Sequence, residues 1–249
     1  YKPVLHEELI DLTLNSINAA GFILDKETYT AARDGQVANG RYTISNVHDD
    51  EMQLEIGWQN SYDRTLSLKF AIGARIFICQ NGCVSGDMGA FRKKHVGDVQ
   101  EFTPARMTEY IKGAADTFGK LVDDKKRMKE IELTKRTKAE LIGRLYMEEQ
   151  ILTSMQLNSI VREMAAPSFD YGAKDSLWEL YNFTTYAIRN DRHPQYWMNT
   201  HSAIHRFFTR ELLVPETIDV ASSAPIVVTP YAENLSEPEP FKQMEMFQE

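Results

Sequence analysis

The stretch 56–95 constrains the fold of this chain more than any other segment. Between residues 66 and 78 every second side chain is apolar, whereas Ser67, Lys69 and Arg75 occupy alternate positions. Because successive side chains of a strand point to opposite faces, this pattern predicts a strand with one buried face. Polar residues surround the strand on both sides, so the same stretch is also the first place to look for function.

Two shorter alternating runs precede this strand. Tyr42 and Ile44 alternate with polar residues, and after the polar residues 48–50 the alternation resumes from Met52 to Trp58. A polar break between two alternating runs indicates a hairpin. The three runs together predict a three-stranded antiparallel meander, whereas residues 22–32 show no decisive pattern.

Helical periodicity dominates the rest of the chain. Thr103 is suited to cap a helix whose first position is Pro104, because the amide that proline lacks has no acceptor within the helix. The periodic segments are 5–20, 103–164, 177–188 and about 202–213. The predicted fold is therefore α+β: an antiparallel β-meander packed with helices, one long helix or a helix pair after the sheet, and a helical C-terminal half.

The predicted domain organisation follows from these segments and from the composition. We predict one α+β domain over 1–165, with 166–213 as its helical C-terminal part. Residues 214–249 contain seven acidic side chains, one lysine and five prolines. Such a composition buries little apolar surface, so it predicts a flexible acidic tail.

Charge is distributed unevenly along the chain. The formal net charge is −8 and the pI is about 5.4, which argues against a protein that binds nucleic acid over its whole surface. Residues 1–60 carry 4 basic and 10 acidic side chains, but residues 92–144 carry 14 basic and 9 acidic ones. A local basic surface is therefore compatible with the acidic whole.

Several classes of protein are disfavoured by what the sequence lacks. No run approaches the roughly 18 apolar residues of a membrane span, and the first residues do not resemble a signal peptide. Cys79 and Cys83 are the only cysteines, and His95 is the single further metal ligand nearby. We therefore expect a cytoplasmic protein with no membrane contact, no metal and no cofactor.

Several sequence blocks resemble a known family. They are 60–64 (Asn-Ser-Tyr-Asp-Arg), 73–81, the basic block 92–95 (Arg-Lys-Lys-His) and 177–184 (Leu-Trp-Glu-Leu-Tyr-Asn-Phe-Thr). In order and composition they look like the signature of the phage/plasmid-like protein family of unknown function (DUF family nine-three-two). Two departures are Tyr62, where that family usually has histidine, and the extra Lys94. The resemblance implies a gene carried by phages or plasmids, often among genes of DNA metabolism.

The polar residues near the sheet suggest a nucleic-acid-binding surface. Lys and Arg side chains neutralise phosphate, amides orient it, and exposed aromatic rings stack bases. The candidate residues are Trp58, Asn60, Tyr62, Arg64, Arg75, Asn81, Arg92, Lys93, Lys94, His95, Lys125, Lys126 and Arg127. Alternatively, Asn60 and Asp63 cap a turn through local bonds to the backbone. The interleaved acids of the 123–140 segment likewise suggest a solvated helix with internal ion pairs.

The end of the chain suggests a docking peptide. Residues 243–247 resemble the Gln-x-x-Leu-Phe peptide that binds the replicative sliding clamp, with Gln243, Met246 and Phe247 at the key positions. Such a peptide would place two apolar side chains in a groove of its partner. A tail that merely packs or dangles is the alternative.

Three functions remain open from the sequence. The leading one is a phage- or plasmid-encoded, non-enzymatic protein that binds nucleic acid, especially single-stranded DNA, in recombination or replication. A three-strand meander followed by a long helix also resembles the core of RecT- and Redβ-type annealing proteins, which implies a homo-oligomer. The second is a counter-defence or regulatory protein that binds a host protein. The third is an enzyme with a site at Asp63, Arg75, Cys79 and His95.

Overall fold

Five antiparallel strands form a meander in which each strand pairs with the next along the chain. They are β1 (Leu24–Ala32), β2 (Val37–His48), β3 (Met52–Ser61), β4 (Lys69–Ile76) and the short β5 (Gly82–Val84). The computed structural model describes residues 4–78, 82–84, 104–189 and 197–213.

Seven helices accompany the sheet in the described residues. Helix α1 (His6–Ala19) precedes the sheet. The others are α2 (Pro104–Lys112), α3 (Ala114–Glu130), α4 (Lys135–Met147), α5 (Ser154–Ala165), α6 (Leu177–Ile188) and α7 (Trp197–Leu213). The fold is α+β with a helical C-terminal half, as the sequence predicts.

The sheet has one apolar face, which the strand register creates. Ile56 lies opposite Tyr42 on one side and opposite Ile72 on the other, and Leu54 lies opposite Ala74. These side chains are buried in the hydrophobic core together with Phe118, Leu121 and Met128 of α3. Helix α3 crosses β3 and β4, so the apolar face is the one on which the helices pack.

A close contact between two strands lies within this core. Trp58 is opposite Gly40, and its indole N–H donates a hydrogen bond to the hydroxyl of Tyr42 at 2.9 Å. A Cβ atom at position 40 would lie 2.5 Å from the Trp58 ring, inside any real contact distance. Position 40 therefore requires glycine, because the indole occupies the space of a side chain.

The sheet contains more strands than the three predicted. The hairpin β2–β3 and strand β4 lie where the alternation predicts them, and β1 and β5 are additional. Strand β1 is exposed along almost its whole length. An edge strand that is exposed to solvent on both faces needs no apolar alternation, so the sequence of residues 22–32 does not indicate a strand.

The predicted helical segment after the sheet consists of four helices rather than one or two. Gly113 separates α2 from α3, and residues 131–133 run extended between α3 and α4. Thr134 then caps α4, and Thr153 caps α5 in a reciprocal capping box with Gln156. Helical periodicity continues across these breaks, but each cap ends one set of helical hydrogen bonds and begins the next.

Helix α2 begins at Pro104 and α6 spans 177–188, as predicted, whereas α7 begins five residues before the predicted 202. Among the helices that the structure describes, none combines the length and apolar character needed to cross a membrane. The chain divides into one unit over 1–214 and a second over 215–249, a boundary one residue later than the predicted start of the tail. The tail lies outside the described residues, so its predicted flexibility stays a prediction.

Candidate nucleic-acid interface

The face of the sheet opposite the core carries polar side chains, and we call it the polar face. Register places Thr30, Asn39, Gln59 and Lys69 in one row across four strands. Further rows contain Thr28, Arg41, Gly57 and Ala71; Lys26, Thr43, Glu55 and Gly73; and the pair Gln53 and Arg75. Directly paired residues point to the same side of a sheet, so all of these side chains share one face.

The charge of the polar face is opposite to that of the whole chain. At the paired positions of its four longer strands it carries four cations, Lys26, Arg41, Lys69 and Arg75, against one carboxylate, Glu55. Lys26 is exposed and the other three cations are partly exposed, while Glu55 is buried. At the described paired positions cations therefore outnumber carboxylates, although the chain has a net charge of −8.

Small residues occupy the centre of this face. Gly57, Ala71 and Gly73 adjoin one another across β3 and β4, so no long side chain rises between Arg41 on β2 and the cations of β4. Lys69 and Arg75 lie six residues apart on β4, a span of about 20 Å at the usual strand rise. Lys69 also donates a hydrogen bond to Asn199 of α7. Gly57, Ala71 and Gly73 are themselves buried, so solvent reaches the separated cations and not the centre of the face.

Trp58 does not lie on this face. Its side chain is 1% exposed within the core, so the predicted exposed ring at position 58 is wrong. The reason is parity: Trp58 shares the side of Ile56 and Leu54, which pack under the helices. Stacking of a base on Trp58 would require unfolding of the core.

Asn60 and Tyr62 hold the first helix against the sheet. The amide Nδ2 of Asn60 donates to the Val4 carbonyl at 2.8 Å and lies 3.1 Å from His6 Nδ1. The Tyr62 hydroxyl accepts from the His6 backbone N–H at 2.8 Å, and the two rings stack at 4.0 Å. Burial lowers the pKa of His6, against a weaker opposing effect of its bond to the Gly35 carbonyl.

The remaining residues of this block form the turn between β3 and β4. Ser61 Oγ exchanges hydrogen bonds with the backbone of Leu66. Asp63 accepts from Thr65 and from Arg33, and these bonds lower the pKa of the carboxyl to about 2. Arg64 has a φ of 64° and is exposed. We call residues 60–66 the motif turn. The alternative interpretation, a cap through local bonds to the backbone, agrees with the bond of Asp63 to the Thr65 N–H, whereas the hydrogen bonds of Asn60 reach Val4 and His6 instead.

The basic segment of α3 does not extend the polar face. Lys125 is 4% exposed and forms ion pairs with Asp49, Asp50 and Glu51 of the turn between β2 and β3, which we call the acidic turn. Burial disfavours its ammonium form, yet these carboxylates raise the pKa of Lys125 above its ordinary value. The exposed Lys126 and Arg127 point away from the sheet, because α3 packs on the apolar face. The described strands and the basic segment of α3 therefore do not form one groove, and the rest of the predicted groove, at 79–81 and 85–95, lies outside the described residues.

Of the proposed enzymatic constellation, Cys79 and His95 lie outside the described residues, and the other two members are far apart. Asp63 precedes β4 and Arg75 lies near the end of that strand, so the length of the strand separates them. His201 and His205 share a face of α7, but His205 Nε2 lies 3.3 Å from Asp124 and both rings are buried. No group of three metal-ligating side chains occurs in the part of the chain that the structure describes.

Some predicted site residues cannot be placed. Asn81, Arg92, Lys93, Lys94 and His95 lie outside the described residues, as do Gln243, Met246 and Phe247. Sequence reasoning missed Lys26, Arg41 and Lys69 as site residues. A signal for them was present: Gln53, Glu55, Gly57 and Gln59 form the polar parity of β3, which indicates a second face of the sheet that is not simply solvated.

Comparison with known proteins identifies the family of the chain. A family model described as Domain of unknown function (DUF932) matches residues 1–212. No curated protein and no solved structure matches the chain.

Proposed function

Because the chain belongs to the DUF932 family, whose description assigns no activity, we propose a function from the geometry of the polar face. The proposed function is non-enzymatic binding of single-stranded nucleic acid, with DNA as the ligand, in the recombination or replication of a phage or plasmid. The single observation that carries the proposal is the cluster of four cations, Lys26, Arg41, Lys69 and Arg75, on one sheet face of an acidic chain.

Phosphate contacts explain this arrangement. A nucleic-acid backbone is attracted to Lys and Arg whatever its sequence, and each contact releases condensed counterions. The paired positions of β1–β4 on the polar face hold no Phe, Tyr or Trp side chain, and the one aromatic ring there is the imidazole of His48, paired with Gln53, so stacking on this part of the face contributes little. We therefore expect weak sequence preference and an affinity dominated by salt.

The size and flatness of the face favour a single strand. Four inter-strand spacings separate β1 from β5, or about 19 Å at the usual distance. Its centre around Gly57, Ala71 and Gly73 is buried, so an extended backbone would contact the exposed or partly exposed cations rather than the middle of the sheet. Nothing on these strands projects far enough to read a duplex groove, as recognition helices do.

The test is fluorescence anisotropy of a labelled oligothymidylate at 50 and 200 mM salt. If the four cations each meet a phosphate, the slope of log K against log salt should be about −3, from roughly −0.7 for each contact. The double variant Lys26→Gln/Arg41→Gln should make the slope shallower by about 1.4 and weaken binding at low salt.

A matched control separates this site from general charge. Lys126→Gln/Arg127→Gln removes the same two charges from the outer surface of α3 and should leave the slope unchanged. Equal weakening by both double variants would show that binding is nonspecific. No binding at 50 mM salt, or an affinity indifferent to salt, would contradict the proposed function outright.

A second candidate function is capture of a host protein by a counter-defence or regulatory factor. The observation in its favour is the pair of exposed side chains Phe77 and Ile78, at 45% and 47%, just after β4. Adjacent exposed apolar residues of this size are typical of contact surfaces. This function predicts that Phe77→Ser/Ile78→Ser abolishes co-purification of one host protein without changing oligonucleotide affinity.

The sliding clamp remains a proposed partner through Gln243, Met246 and Phe247. Its support is the sequence match of residues 243–247 alone. Purified clamp should bind the full chain, and it should no longer bind a variant of the full chain in which Met246 and Phe247 are both changed to alanine. Binding that survives this change would exclude the clamp as a partner of this peptide.

A further inference from the structure

A pocket lies beyond the end of β4, away from the rows of the polar face that hold Lys26, Arg41 and Lys69. Its volume is about 260 Å³. The acidic turn, the end of β4 and the loop before α6 contribute its walls. The Phe77 backbone N–H donates to the Glu51 carbonyl at 2.9 Å, which fixes the end of β4 against the acidic turn. Three separate parts of the chain thus build one concave site.

Aromatic side chains form the apolar part of this pocket. Tyr171 and Trp178 are buried, with 5% and 3% of their surface exposed, whereas Phe77 is 45% exposed. Two buried rings are held firmly by the core, while Phe77 is open to solvent. Aromatic faces carry negative charge density, so they attract cations as well as apolar groups.

Carboxylates form the polar part. Asp50 and Asp170 are exposed, and Glu51 is partly exposed. Glu51 is paired with Lys125 and Lys129, and Asp50 lies 3.5 Å from the Lys125 ammonium. Asp170 accepts the Gly172 backbone N–H at 2.9 Å. With Asp49, four carboxylates face two ammonium groups, so the site keeps an excess of two negative charges.

We propose that this pocket binds an alkylguanidinium group, as carried by an arginine side chain. A guanidinium stacks on aromatic rings and donates in a fork that matches a carboxylate, so it uses both parts of the pocket. An anion would meet the excess negative charge. A purely apolar guest would make no use of the Asp50 and Asp170 carboxylates at the rim.

The dimensions agree with a guest of side-chain size. Pockets for drug-sized ligands have volumes of roughly 300–1,000 Å³, and this one is smaller. The group can be borne by a free small molecule or by an arginine of a partner protein. The chemistry of recognition is the same for both, and the experiment separates the two sources.

The test is titration of the ¹⁵N-labelled full chain with argininamide, followed by NMR at the Trp178 indole N–H. Citrullinamide is the matched ligand, because it keeps the shape and the α-amino group of argininamide but carries an uncharged urea in place of the guanidinium. The Trp178→Phe variant assigns the signal among the three tryptophans. We expect argininamide to shift the Trp178 signal saturably and citrullinamide to leave it unmoved.

The protein variants make the same comparison. Asp50→Asn/Asp170→Asn keeps the size of both side chains, and the amide oxygen introduced at position 170 can still accept from the Gly172 backbone N–H. Loss of two charged hydrogen-bond acceptors should weaken argininamide at least tenfold. Asp11→Asn/Asp123→Asn removes two exposed carboxylates outside the pocket and should leave the dissociation constant unchanged.

Three outcomes decide the matter. Equal binding of citrullinamide, or full binding by the Asp50→Asn/Asp170→Asn variant, would overturn the proposal. Tighter binding of the peptide Gly-Arg-Gly-amide than of argininamide would support the pocket and assign its guest to a protein. Tighter binding of argininamide would support it with a small molecule as the source. None of these results depends on whether the polar face binds nucleic acid.

Discussion

The two ends of strand β3 differ in how they use polar side chains. At one end, the motif turn directs Asn60, Ser61 and Asp63 to backbone groups, so hydrogen-bond geometry holds the chain. At the other end, Asp49 also accepts the backbone N–H groups of Glu51 and Met52, but the acidic turn in addition directs Asp49 and Glu51 to lysines of α3, so charge is added to the local bonds. Both turns are similar polar runs in the sequence, but we expect different substitutions and different pH ranges to destabilise them.

The largest expected effect is at the acidic turn. Lys125→Met removes a buried ammonium that three carboxylates share. Glu51 keeps Lys129, but Asp49 and Asp50 lose their cation, which should lower the free energy of unfolding by about 3 kcal/mol, the low end for a broken buried pair because Asp50 is exposed.

Urea denaturation measures this difference. The control is the adjacent Lys126→Met, whose ammonium is exposed and 3.7 Å from Asp123, and which should change stability by less than about 0.5 kcal/mol. Equal effects at the two positions would show that the acidic turn is not held by charge.

The next effect is at the motif turn. Asn60→Ala removes the donor to the Val4 carbonyl and the amide beside His6 Nδ1. A partly buried carbonyl and a partly buried imidazole nitrogen that lose their partner should cost about 1 kcal/mol of unfolding free energy, the low end for an unsatisfied group. The same substitution at the exposed Asn18 of α1 should be neutral or slightly stabilising, because alanine favours helix. The urea midpoints of the two variants test this, and a tolerated Asn60→Ala would remove the structural role of the motif turn.

A smaller effect distinguishes the two ends by pH. Burial lowers the pKa of His6 below 6.5, and protonation would set Nδ1–H against the donating amide of Asn60. Protonation therefore favours the unfolded chain, so this stability is present above pH 6.5 and is lost as the pH falls toward the lower folded pKa. The His6→Gln variant should lose less stability than the wild type between pH 7.5 and 5.5.

The acidic turn should not respond in that window. Although burial opposes it, the hydrogen bond from Lys125 lowers the pKa of Asp49 below 3.8. The stability that Asp49 contributes is therefore present above pH 3.8 and is lost only as the pH falls below that value. Identical pH curves for wild type and His6→Gln between pH 7.5 and 5.5 would contradict this assignment of the two ends.

The strands that touch the core could be predicted from sequence, and those that do not could not. The strands of Ile56 and Ile72 show apolar alternation in the sequence because these side chains face helices. Both faces of β1 are exposed to solvent, so β1 shows no such alternation. The helix breaks at Gly113 and Thr134 are local, and periodicity alone does not register them. Tertiary partners decide these boundaries.

The candidate site was only partly predictable, for a similar reason. Arg75 was found because its strand is the clearest one, but Lys26 and Arg41 become neighbours of its face only through register. Lys125 was misassigned because its partners Asp49 and Glu51 lie more than 70 residues away. A single sequence shows which residues are charged, but it does not show which charges already have a partner.

The contact between Trp58 and Gly40 has a consequence for how this sequence can change over time. The indole ring fills the volume that a Cβ atom at position 40 would need. An alanine at position 40 should therefore be tolerated only when position 58 carries a smaller residue than tryptophan. We expect the two positions to vary jointly among relatives. The Tyr42 hydroxyl would then lose its donor, which links a third position to the same exchange.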